Sequence, residues 1–414
     1  MKKQLWILNH YAVTPDMPGG TRHYELGRQL VGRGYDVTIL ASSFHYTKRR
    51  ETRLQGRQAW QVEEVDDVKF VWLRTFPYQG NDWRRVVNMA SYMVRSCWLG
   101  CRLPRLDGRT PEPDVIIGSS VHLLAVLSAY FLARHFGAHF VMEVRDLWPQ
   151  TLVDIGALGA RHPLTWLLRG LEGFLYRRAE RIIVLLPKAR EYIVGLGIDA
   201  SKVQWIPNGV NLSRFSMREL QQRVDGRFTV MYVGTHGWAN GLDVLLDAAR
   251  EVQQRGYACI RFVFVGDGPE KPRLRTYCEE LELLNAEFHE PVAKVEVPRV
   301  LAESDVLVLI LRDIDVFRYG ISSNKLFDYL ASGRPILFAC NASNNIVEKA
   351  QCGLSIPPEE HEALAEAVIR LYEMSPEERR AMGKRGRAYV EQHHDYSVLA
   401  KRLAKVLGEL ETGE

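Results

Sequence analysis

The feature that most constrains this chain is a repeated alternation of short apolar runs with longer amphipathic segments. Candidate strands lie at residues 5–8, 37–40, 68–73, 115–117, 140–143 and 182–185, and a second series lies at 229–233, 261–265, 286–288, 306–310 and 335–339. Amphipathic segments of helical length, such as 242–254 and 273–283, separate them. Strands that alternate with helices in this way favour βαβ units and a mainly parallel sheet. The sequence therefore predicts an α/β protein with two doubly wound sheets.

The length of the chain and a cluster of turn-forming residues near its middle predict two domains. At 414 residues the chain exceeds what a single core usually accommodates. A proline and an Asn-Gly pair interrupt residues 203–211, after the first strand series has ended. We predict one Rossmann-like domain at 1–204, a second at 205–385, and a C-terminal helix at 386–414 that crosses back to the first domain.

Composition narrows the class of protein and its compartment. The formal net charge is only +4, from 54 basic and 50 acidic residues, which does not favour nucleic acid as a partner. The six cysteines show neither zinc-site spacing nor disulfide density, which favours a reducing cytoplasm. The apolar run 123–133 is about half of the roughly 20 residues needed to span a bilayer. We therefore predict a cytoplasmic protein that is not integral to a membrane.

Two glycine-containing turns are candidate anion sites. Gly19 and Gly20 precede the first amphipathic segment, and Gly234 and Thr235 follow the first strand of the second series. Small residues at a helix start let backbone N–H groups approach an anion, and the helix dipole favours negative charge there. A plain strand-to-helix loop is the alternative for each turn, because neither has the Gly-x-Gly-x-x-Gly pattern of dinucleotide sites.

Residues 322–335 form the most informative segment of the chain. Ser323 and Asn324 cap and open a predicted helix, and they place the Lys325 ammonium at the positive end of its dipole. Asp328 follows three residues later, on the same helical turn. This arrangement suits a diphosphate beside a ribose, with Lys325 on the phosphate and Asp328 accepting from the hydroxyls. A surface ion pair between the two is the alternative.

Taken together, these motifs resemble the GT-B glycosyltransferases of family 4 over nearly the whole chain. The resemblance rests on Gly19-Gly20, on Ile-Pro-Asn-Gly-Val-Asn at 206–211, on Val-Gly-Asp-Gly-Pro at 265–269, and on residues 325–335. It implies two Rossmann-like domains that face each other across a cleft, with the donor mainly on the second and the acceptor mainly on the first. It also implies a UDP-sugar donor, retention at the anomeric carbon, and neither a metal nor a cofactor.

A narrower resemblance concerns the biological substrate. Residues 141–150, Val-Met-Glu-Val-Arg-Asp-Leu-Trp-Pro-Gln, are similar to the N-acetyl-L-fucosamine transferases of surface polysaccharide assembly, such as lipopolysaccharide or capsule. This resemblance implies transfer of N-acetyl-L-fucosamine or another N-acetylated hexose to a polyprenyl-diphosphate-linked saccharide at the inner face of the cytoplasmic membrane. A UDP-sugar epimerase of the same two-domain fold and a non-catalytic nucleotide-sugar-binding subunit are the alternatives.

The candidate catalytic residues follow two strands of the first domain. His122 lies where the family commonly has a sugar-contacting histidine, although a packed core histidine is the alternative. Glu143, Arg145 and Asp146 leave the next strand at its carboxyl end, where open α/β sheets bind ligands. We predict that Asp146 orients or deprotonates the acceptor hydroxyl and that Arg145 fixes it. An internal Arg145–Asp146 bridge is the alternative.

The sequence departs from the family pattern at the donor site. Many members have an Arg, a Lys and a Glu where this chain has Thr235, Asn240 and Gly320. Arg312 or Arg318 could supply the missing charge, because both precede the donor segment closely. Asp-Ile-Asp at 313–315 imitates a metal motif of another glycosyltransferase fold, but two carboxylates alone are a weak metal signal.

A stripe of Trp, Val, Met and Tyr between basic ends occupies residues 84–99. Helical spacing of such residues predicts either an interfacial helix, which would bring the protein peripherally to a membrane, or a core-facing helix.

Overall fold

A computed structural model describes residues 2–80, 82–215 and 226–412, with side chains up to Leu410. The chain divides into two compact units. The N-terminal unit comprises Met1–Pro207 with Tyr396–Glu414, and the C-terminal unit comprises Asn208–Asp395.

The N-terminal unit is built on one large, mostly parallel sheet. Its strands are β1 Lys3–Leu8, β2 Tyr35–Ser42, β5 Trp60–Val65, β6 Val68–Leu73, β7 Val115–Ser119, β8 His139–Val144, β9 Arg181–Val184 and β10 Val203–Trp205, and the short β3 Phe44–His45 and β4 Arg50–Glu51 pair separately. Its order is β10-β9-β8-β7-β1-β2-β6-β5, and β5 is antiparallel to β6. The helices before the linker are α1 Arg22–Val31, α2 Trp83–Gly100, α3 Leu103–Asp107, α4 Leu123–Phe136, α5 Gln150–Asp154, α6 Pro163–Arg178 and α7 Ala189–Gly195.

The C-terminal unit has a parallel sheet of its own. Its strands are β11 Phe228–Val233, β12 Ile260–Val265, β13 Ala286–His289, β14 Val306–Ile310, β15 Ile336–Ala339 and β16 Gly353–Ile356. The order is β13-β12-β11-β14-β15-β16. The remaining helices are α8 Leu242–Gln254, α9 Lys271–Glu280, α10 Val297–Leu301, α11 Asn324–Ser332, α12 Ile346–Lys349, α13 His361–Glu373, α14 Pro376–His393 and α15 Tyr396–Thr412.

Each sheet reverses its direction of growth once. In the N-terminal unit the chain runs outward from β1 through β2 and returns to β7 on the other side of β1. In the C-terminal unit it runs from β11 through β12 and returns to β14. Ligands of doubly wound sheets bind at the carboxyl ends of the strands beside such a reversal. The loops after β1, β7, β11 and β14 are therefore the places to look for function.

The predicted end of the chain differs from the structure. One helix was predicted at 386–414, but His394 and Asp395 separate α14 from α15 within that range. Position 386 lies inside α14, so the chain returns to the first unit at Tyr396 instead. The return is stabilised by burial of Leu399, Leu403 and Leu407 of α15 in the same core as residues of α1.

The boundary at the linker also lies later than predicted, between Pro207 and Asn208. Asn208 belongs to the second unit because its backbone N–H donates to Ser322 Oγ (2.8 Å) and its amide donates to the Ser322 carbonyl (2.5 Å). Among the described residues, no helix is long and apolar enough to cross a membrane.

Candidate active site

The reversal point of the N-terminal sheet holds two buried histidines. His10 follows β1, and His122 follows β7 as the N-cap of α4. Their side chains meet because β1 and β7 are hydrogen-bonded neighbours whose carboxyl ends lie together. His10 was not among the predicted site residues.

A chain of hydrogen bonds fixes the tautomers of both rings. Nδ1 of His122 accepts from the backbone N–H of Ala125 (3.2 Å), so the proton of neutral His122 lies on Nε2. That nitrogen donates to Nδ1 of His10 across 2.7 Å. The proton of neutral His10 therefore lies on Nε2, which is buried and has no partner in the described part of the chain. His10 thus retains one unpaired N–H donor, whereas both ring nitrogens of His122 are used.

Packing holds the His10 ring in place. It stacks on Tyr11 and on Tyr92, with ring centroids 4.4 Å apart in both pairs. Burial, His122 and Arg85 hold the pKa of His10 well below its ordinary value, and burial followed by Arg85 lowers the pKa of His122 to about 3. Both rings are therefore neutral near pH 7, and His10 acts as a fixed donor and not as a cation.

Glu143 lies in a buried ionic cluster at the end of β8. It accepts from Arg22 Nε (2.8 Å), from Ser119 Oγ (2.8 Å) and from His23 Nε2 (2.6 Å). Burial opposes its ionisation, but His23 and Arg22 outweigh that cost and hold the pKa of Glu143 well below its ordinary value. The carboxylate predicted to be catalytic thus has internal partners on both oxygens.

The same cluster anchors the first helix to the linker. The Arg22 guanidinium donates to the carbonyl of Ile206 (2.8 Å) and to that of Pro207. Asn9 donates to Nδ1 of His23 (2.7 Å), which leaves the His23 proton on the nitrogen that faces Glu143. Glu143 therefore positions the start of α1 and the end of the first unit.

Arg145 and Asp146, in the loop after β8, are more accessible than Glu143. The backbone N–H of Arg145 donates to Ser120 Oγ (3.1 Å), which ties the loop after β8 to the loop after β7. The side chain of Arg145 is half-buried, and Asp146 is exposed. Asp146 is therefore the member of the predicted group that a solvent-borne substrate reaches.

Gly19 and Gly20 lead into α1 as predicted. Gly19 has φ +141°, and a Cβ there would lie 3.0 Å from both Tyr46 Oη and Val13, so a side chain at this position would be strained. The N-cap Thr21 makes no side-chain capping bond to α1. The first N–H groups of a helix have no intrahelical partner, so this end of α1 can receive an anion or a hydroxyl.

In the C-terminal unit, the loops that contain Gly234 and Gly266 touch at the end of β11, and we call this contact the glycine crossing. A Cβ on Gly266 would lie 1.9 Å from the Gly234 carbonyl oxygen, and one on Gly234 would lie 2.6 Å from Cδ of Lys325. Because neither glycine has a side chain, the methylene groups of Lys325 can pass directly against the backbone of Gly234.

Lys325 lies in the first turn of α11 and reaches this crossing. Its ammonium donates to Asn240 Oδ1 (2.6 Å) and to Tyr232 Oη (2.9 Å), and it lies 4.7 Å from the Tyr232 ring centroid. Within the described residues, no carboxylate pairs with it. Burial lowers the pKa of Lys325 to about 7. A half-buried cation whose partners are all neutral can bind an anion.

The cap of α11 adds further donors beside Lys325. Ser323 is the N-cap but makes no side-chain capping bond, and Asn324 begins the helix. The N–H groups of this first turn have no intrahelical partner and form the positive end of the helix dipole. Ser323, Asn324 and Lys325 thus lie together at the start of one helix, as predicted.

Asp328 has a different neighbour from the one expected. Its carboxylate pairs with Lys294 and is almost fully buried. Burial raises the pKa of Asp328, and Lys294 opposes that rise. Asp328 and Lys325 therefore do not form the surface ion pair that was the alternative.

Two of the three departures from the family pattern have structural explanations. Asn240, where many members have Lys, accepts a hydrogen bond from Lys325. Gly320, where many have Glu, has φ +95°, a region that side chains rarely adopt. Arg312 is committed to Asp243 (2.6 Å) and Glu359 (2.9 Å), so it does not replace the missing cation.

His236 is a further residue that sequence reasoning passed over. Its ring is buried against Tyr232 and Phe288, and neither ring nitrogen has a partner among the described residues. Burial lowers the pKa of His236 to about 4. Its position beside Gly266 in the glycine crossing could have marked it as a candidate.

Comparison with known families decides the enzyme class. Residues 227–374 match the family described as glycosyl transferases group 1, and residues 19–209 match the glycosyl transferase 4-like domain. The chain belongs to this glycosyltransferase family. It is therefore a transferase.

Two relatives carry transferase names. The chain is 22% identical to Pseudomonas aeruginosa WbjE, named a probable glycosyltransferase, over 65% of this chain and 69% of that protein. It is 26% identical to the alpha-D-kanosaminyltransferase of Streptomyces kanamyceticus, over 71% of this chain and 78% of that protein.

Solved structures share the fold. Sucrose-phosphate synthase from Thermosynechococcus elongatus has a TM-score of 0.75 at 16% identity, covering 100% of both chains. Anabaena HepE in complex with UDP and glucose has a TM-score of 0.69 at 15% identity, covering 99% of this chain and 100% of that one. WaaG, a glycosyltransferase involved in lipopolysaccharide biosynthesis, has a TM-score of 0.62 at 14% identity, covering 97% and 99%. The predicted fold, GT-B with two Rossmann-like domains, is confirmed.

Proposed function

We propose that this glycosyltransferase takes a sugar from a UDP-sugar and transfers it, with retention at the anomeric carbon, to a lipid-linked saccharide. The observation that carries the donor assignment is Lys325. Its ammonium lies at the reversal point of the C-terminal sheet, at an uncapped helix start, and has only neutral oxygen partners among the described residues. A diphosphate supplies the counter-charge that this cation lacks.

The chemistry of the leaving group explains why such a cation is useful. As the bond to the sugar breaks, negative charge develops on UDP and positive charge on the sugar. A fixed cation and helix N–H groups stabilise that diphosphate without reorganisation. In this proposal Ser323, Asn324 and Lys325 hold the diphosphate, and the Gly234–Thr235 turn leaves room for it. The Gly19–Gly20 turn is proposed as a second donor contact.

The acceptor side of the proposal changes the roles first assigned from sequence. His10 takes the substrate contact that was assigned to His122, because only His10 keeps an unpaired N–H. His122 becomes its positioning residue, and Glu143 positions the start of α1. Asp146 remains the proposed acceptor-orienting carboxylate, because it is exposed, and Arg145 remains its neighbour in that loop.

The identity of the sugar and of the acceptor rests on the motif at 141–150. We propose N-acetyl-L-fucosamine or another N-acetylated hexose as the sugar, a polyprenyl-diphosphate-linked saccharide as the acceptor, and surface polysaccharide synthesis as the process. Such an acceptor requires a cytoplasmic enzyme that contacts the inner face of the membrane peripherally. No metal or cofactor takes part in the proposed reaction.

Product analysis tests this proposal. The purified protein is incubated in EDTA with UDP-sugars, with and without a polyprenyl-diphosphate saccharide, and the products are followed by mass spectrometry and NMR. We expect UDP release and a glycosylated lipid with the donor's anomeric configuration only when the acceptor is present. An epimerised donor without acceptor, or an inverted product, would contradict the proposal.

A further inference from the structure

One outer surface of the N-terminal unit is both apolar and cationic. It is formed by the exposed side chains of α2, α4 and α6, which we call the three-helix surface. The helix α4 packs against α2 on one side and against α6 on the other. Tyr130 of α4 and Phe174 of α6 meet edge to face, with ring centroids 5.2 Å apart. The three helices therefore present one continuous outer layer.

Large apolar side chains on this surface are exposed instead of packed. More than half of the residue's surface is accessible at Trp83 (65%), Trp98 (53%), Phe131 (52%), Trp166 (67%) and Leu167 (69%). On α2, Trp83 and Trp98 are separated by about four helical turns, so they lie on one stripe, with exposed Val94 between them. Exposed patches of this kind mark interaction surfaces.

The exposed charges on the three helices are all positive, and an exposed carboxylate, that of Asp82, lies next to them as the N-cap of α2. The exposed arginines of the surface are Arg84, Arg95, Arg134, Arg169, Arg177 and Arg178. The only carboxylate on the three helices is Glu172, which is buried beside Tyr176. The whole chain is nearly balanced at +4, so this cationic excess is local.

The arginines and the tryptophans are interleaved. Arg84 lies 5.7 Å from the Trp83 ring centroid, and Arg102, which follows α2, lies 4.8 Å from that of Trp98. Tryptophan prefers the boundary between lipid headgroups and acyl chains, and arginine can bury its stem there while its guanidinium contacts phosphate.

We propose that the three-helix surface binds an anionic lipid bilayer. The proposal commits to a bilayer because the surface has exposed cations and aromatic residues but no exposed carboxylate on its helices, which is the complement of an anionic interface. It deepens the proposed function, since a lipid-linked acceptor places the enzyme at a membrane. Binding to vesicles needs no turnover, so the two proposals can fail separately.

Vesicle binding of the full chain is the test. The purified protein is mixed with phosphatidylcholine vesicles and with vesicles that also contain phosphatidylglycerol, and bound protein is measured by co-sedimentation. We expect binding only to the anionic vesicles, weakening as salt is raised, with a blue shift of tryptophan fluorescence.

Two variants separate the contributions. Arg95→Gln with Arg178→Gln is expected to weaken binding about 25-fold, since each cation at an anionic surface contributes about fivefold. Trp83→Ala with Trp98→Ala is expected to weaken it roughly tenfold or more. The matched controls lie in the C-terminal unit: Arg250→Gln with Arg299→Gln, and Leu284→Ala at a residue that is 94% exposed. They should bind as the parent does, and equal melting temperatures establish that every variant is folded.

Three outcomes would overturn the proposal. The first is equal binding to neutral and anionic vesicles, and the second is no binding to either. The third is unchanged vesicle binding in the tryptophan variant together with conversion of a dimer to a monomer in sedimentation, which would make the surface an interface between copies of the chain.

Discussion

His122 donates from Nε2 to Nδ1 of His10 across 2.7 Å, and it can do so because the backbone N–H of Ala125 occupies its other nitrogen. The start of α4 thereby determines which nitrogen of His10 carries the proton. A helix cap and a candidate substrate contact are thus coupled through two neutral rings.

Removing either histidine should affect transfer differently. His10→Phe keeps an aromatic ring between Tyr11 and Tyr92 but removes the N–H donor, so we expect kcat to fall by about 10²–10³-fold with unchanged donor affinity. His122→Asn should lower kcat less. Because His122 helps to lower the pKa of His10, the acid limb of its pH–rate profile should also move to higher pH.

The matched control for this pair is His162→Asn, because His162 caps α6 by accepting from the backbone N–H of Leu164 (3.1 Å). It should leave both kcat and the pH profile unchanged. An unaltered acid limb in His122→Asn would show that His122 does not act through His10.

Glu143→Gln should destabilise the N-terminal unit. The substitution removes the negative charge and leaves the Arg22 guanidinium buried without a carboxylate partner. We therefore expect the free energy of unfolding at pH 7 to fall by about 3–5 kcal/mol. The folded-state pKa of Glu143 lies below its ordinary value of 4.5, so its contribution is present above about pH 4.5 and is lost as the pH falls further. Urea denaturation of both proteins across this range measures the difference.

Glu180→Gln provides the comparison. Glu180 also pairs with a histidine, His139, at 2.8 Å, but on the surface. The expected loss is about 1 kcal/mol or less. Equal losses for the two variants would contradict a special role for the buried cluster.

Gly266→Ala tests the glycine crossing at the donor site. The new Cβ would collide with the Gly234 carbonyl oxygen, so we expect a lower melting temperature and weaker UDP binding. Gly256→Ala also introduces a side chain at positive φ (+82°), but nothing lies within 4 Å of that Cβ. It should cost only about 1 kcal/mol and leave UDP affinity intact. If Gly266→Ala behaved like this control, the crossing would not support the donor site.

Donor affinity should depend on pH through Lys325. Its pKa of about 7 in the free protein means that a growing fraction is neutral above that pH, and an anion binds the protonated form. The dissociation constant for UDP-glucose, whose diphosphate does not titrate in this range, should rise by up to about tenfold per pH unit above about pH 7. Calorimetry from about pH 7 to pH 9 measures the slope, and a flat profile in the parent protein would contradict the assignment.

The sequence predicted the inner parallel strands well because their apolar runs are buried in the sheets. It missed the edge strands β5, β10 and β16, which are only partly buried, and in β5 Glu63 and Glu64 interrupt the apolar pattern. It placed Glu143 correctly at a strand end, but the partners that make this residue internal come from α1, far away in the chain. The pairing of His10 with His122 likewise depends on the neighbouring positions of β1 and β7.

Predictions for the second site were better, because its residues are close in sequence. Ser323, Asn324 and Lys325 share one helical turn, so local capping rules sufficed to bring them together. No local pattern indicated that Lys294 would pair with Asp328, since that contact joins two separate elements. Contacts within one element were predictable, and contacts between distant elements were not.

The most direct test of the account is calorimetric titration of UDP, GDP and ADP, in EDTA, into the parent protein, Lys325→Met and Lys349→Met. Lys349 lies in the same unit, and its ammonium also lies over a tyrosine, at 5.7 Å from the Tyr389 ring centroid. We predict that UDP binds the parent protein and Lys349→Met equally and binds Lys325→Met at least about tenfold more weakly, because a hydrogen bond to a charged group contributes about 1.5–3 kcal/mol. Binding of no nucleotide, or unchanged UDP binding by Lys325→Met, would contradict the donor site proposed here.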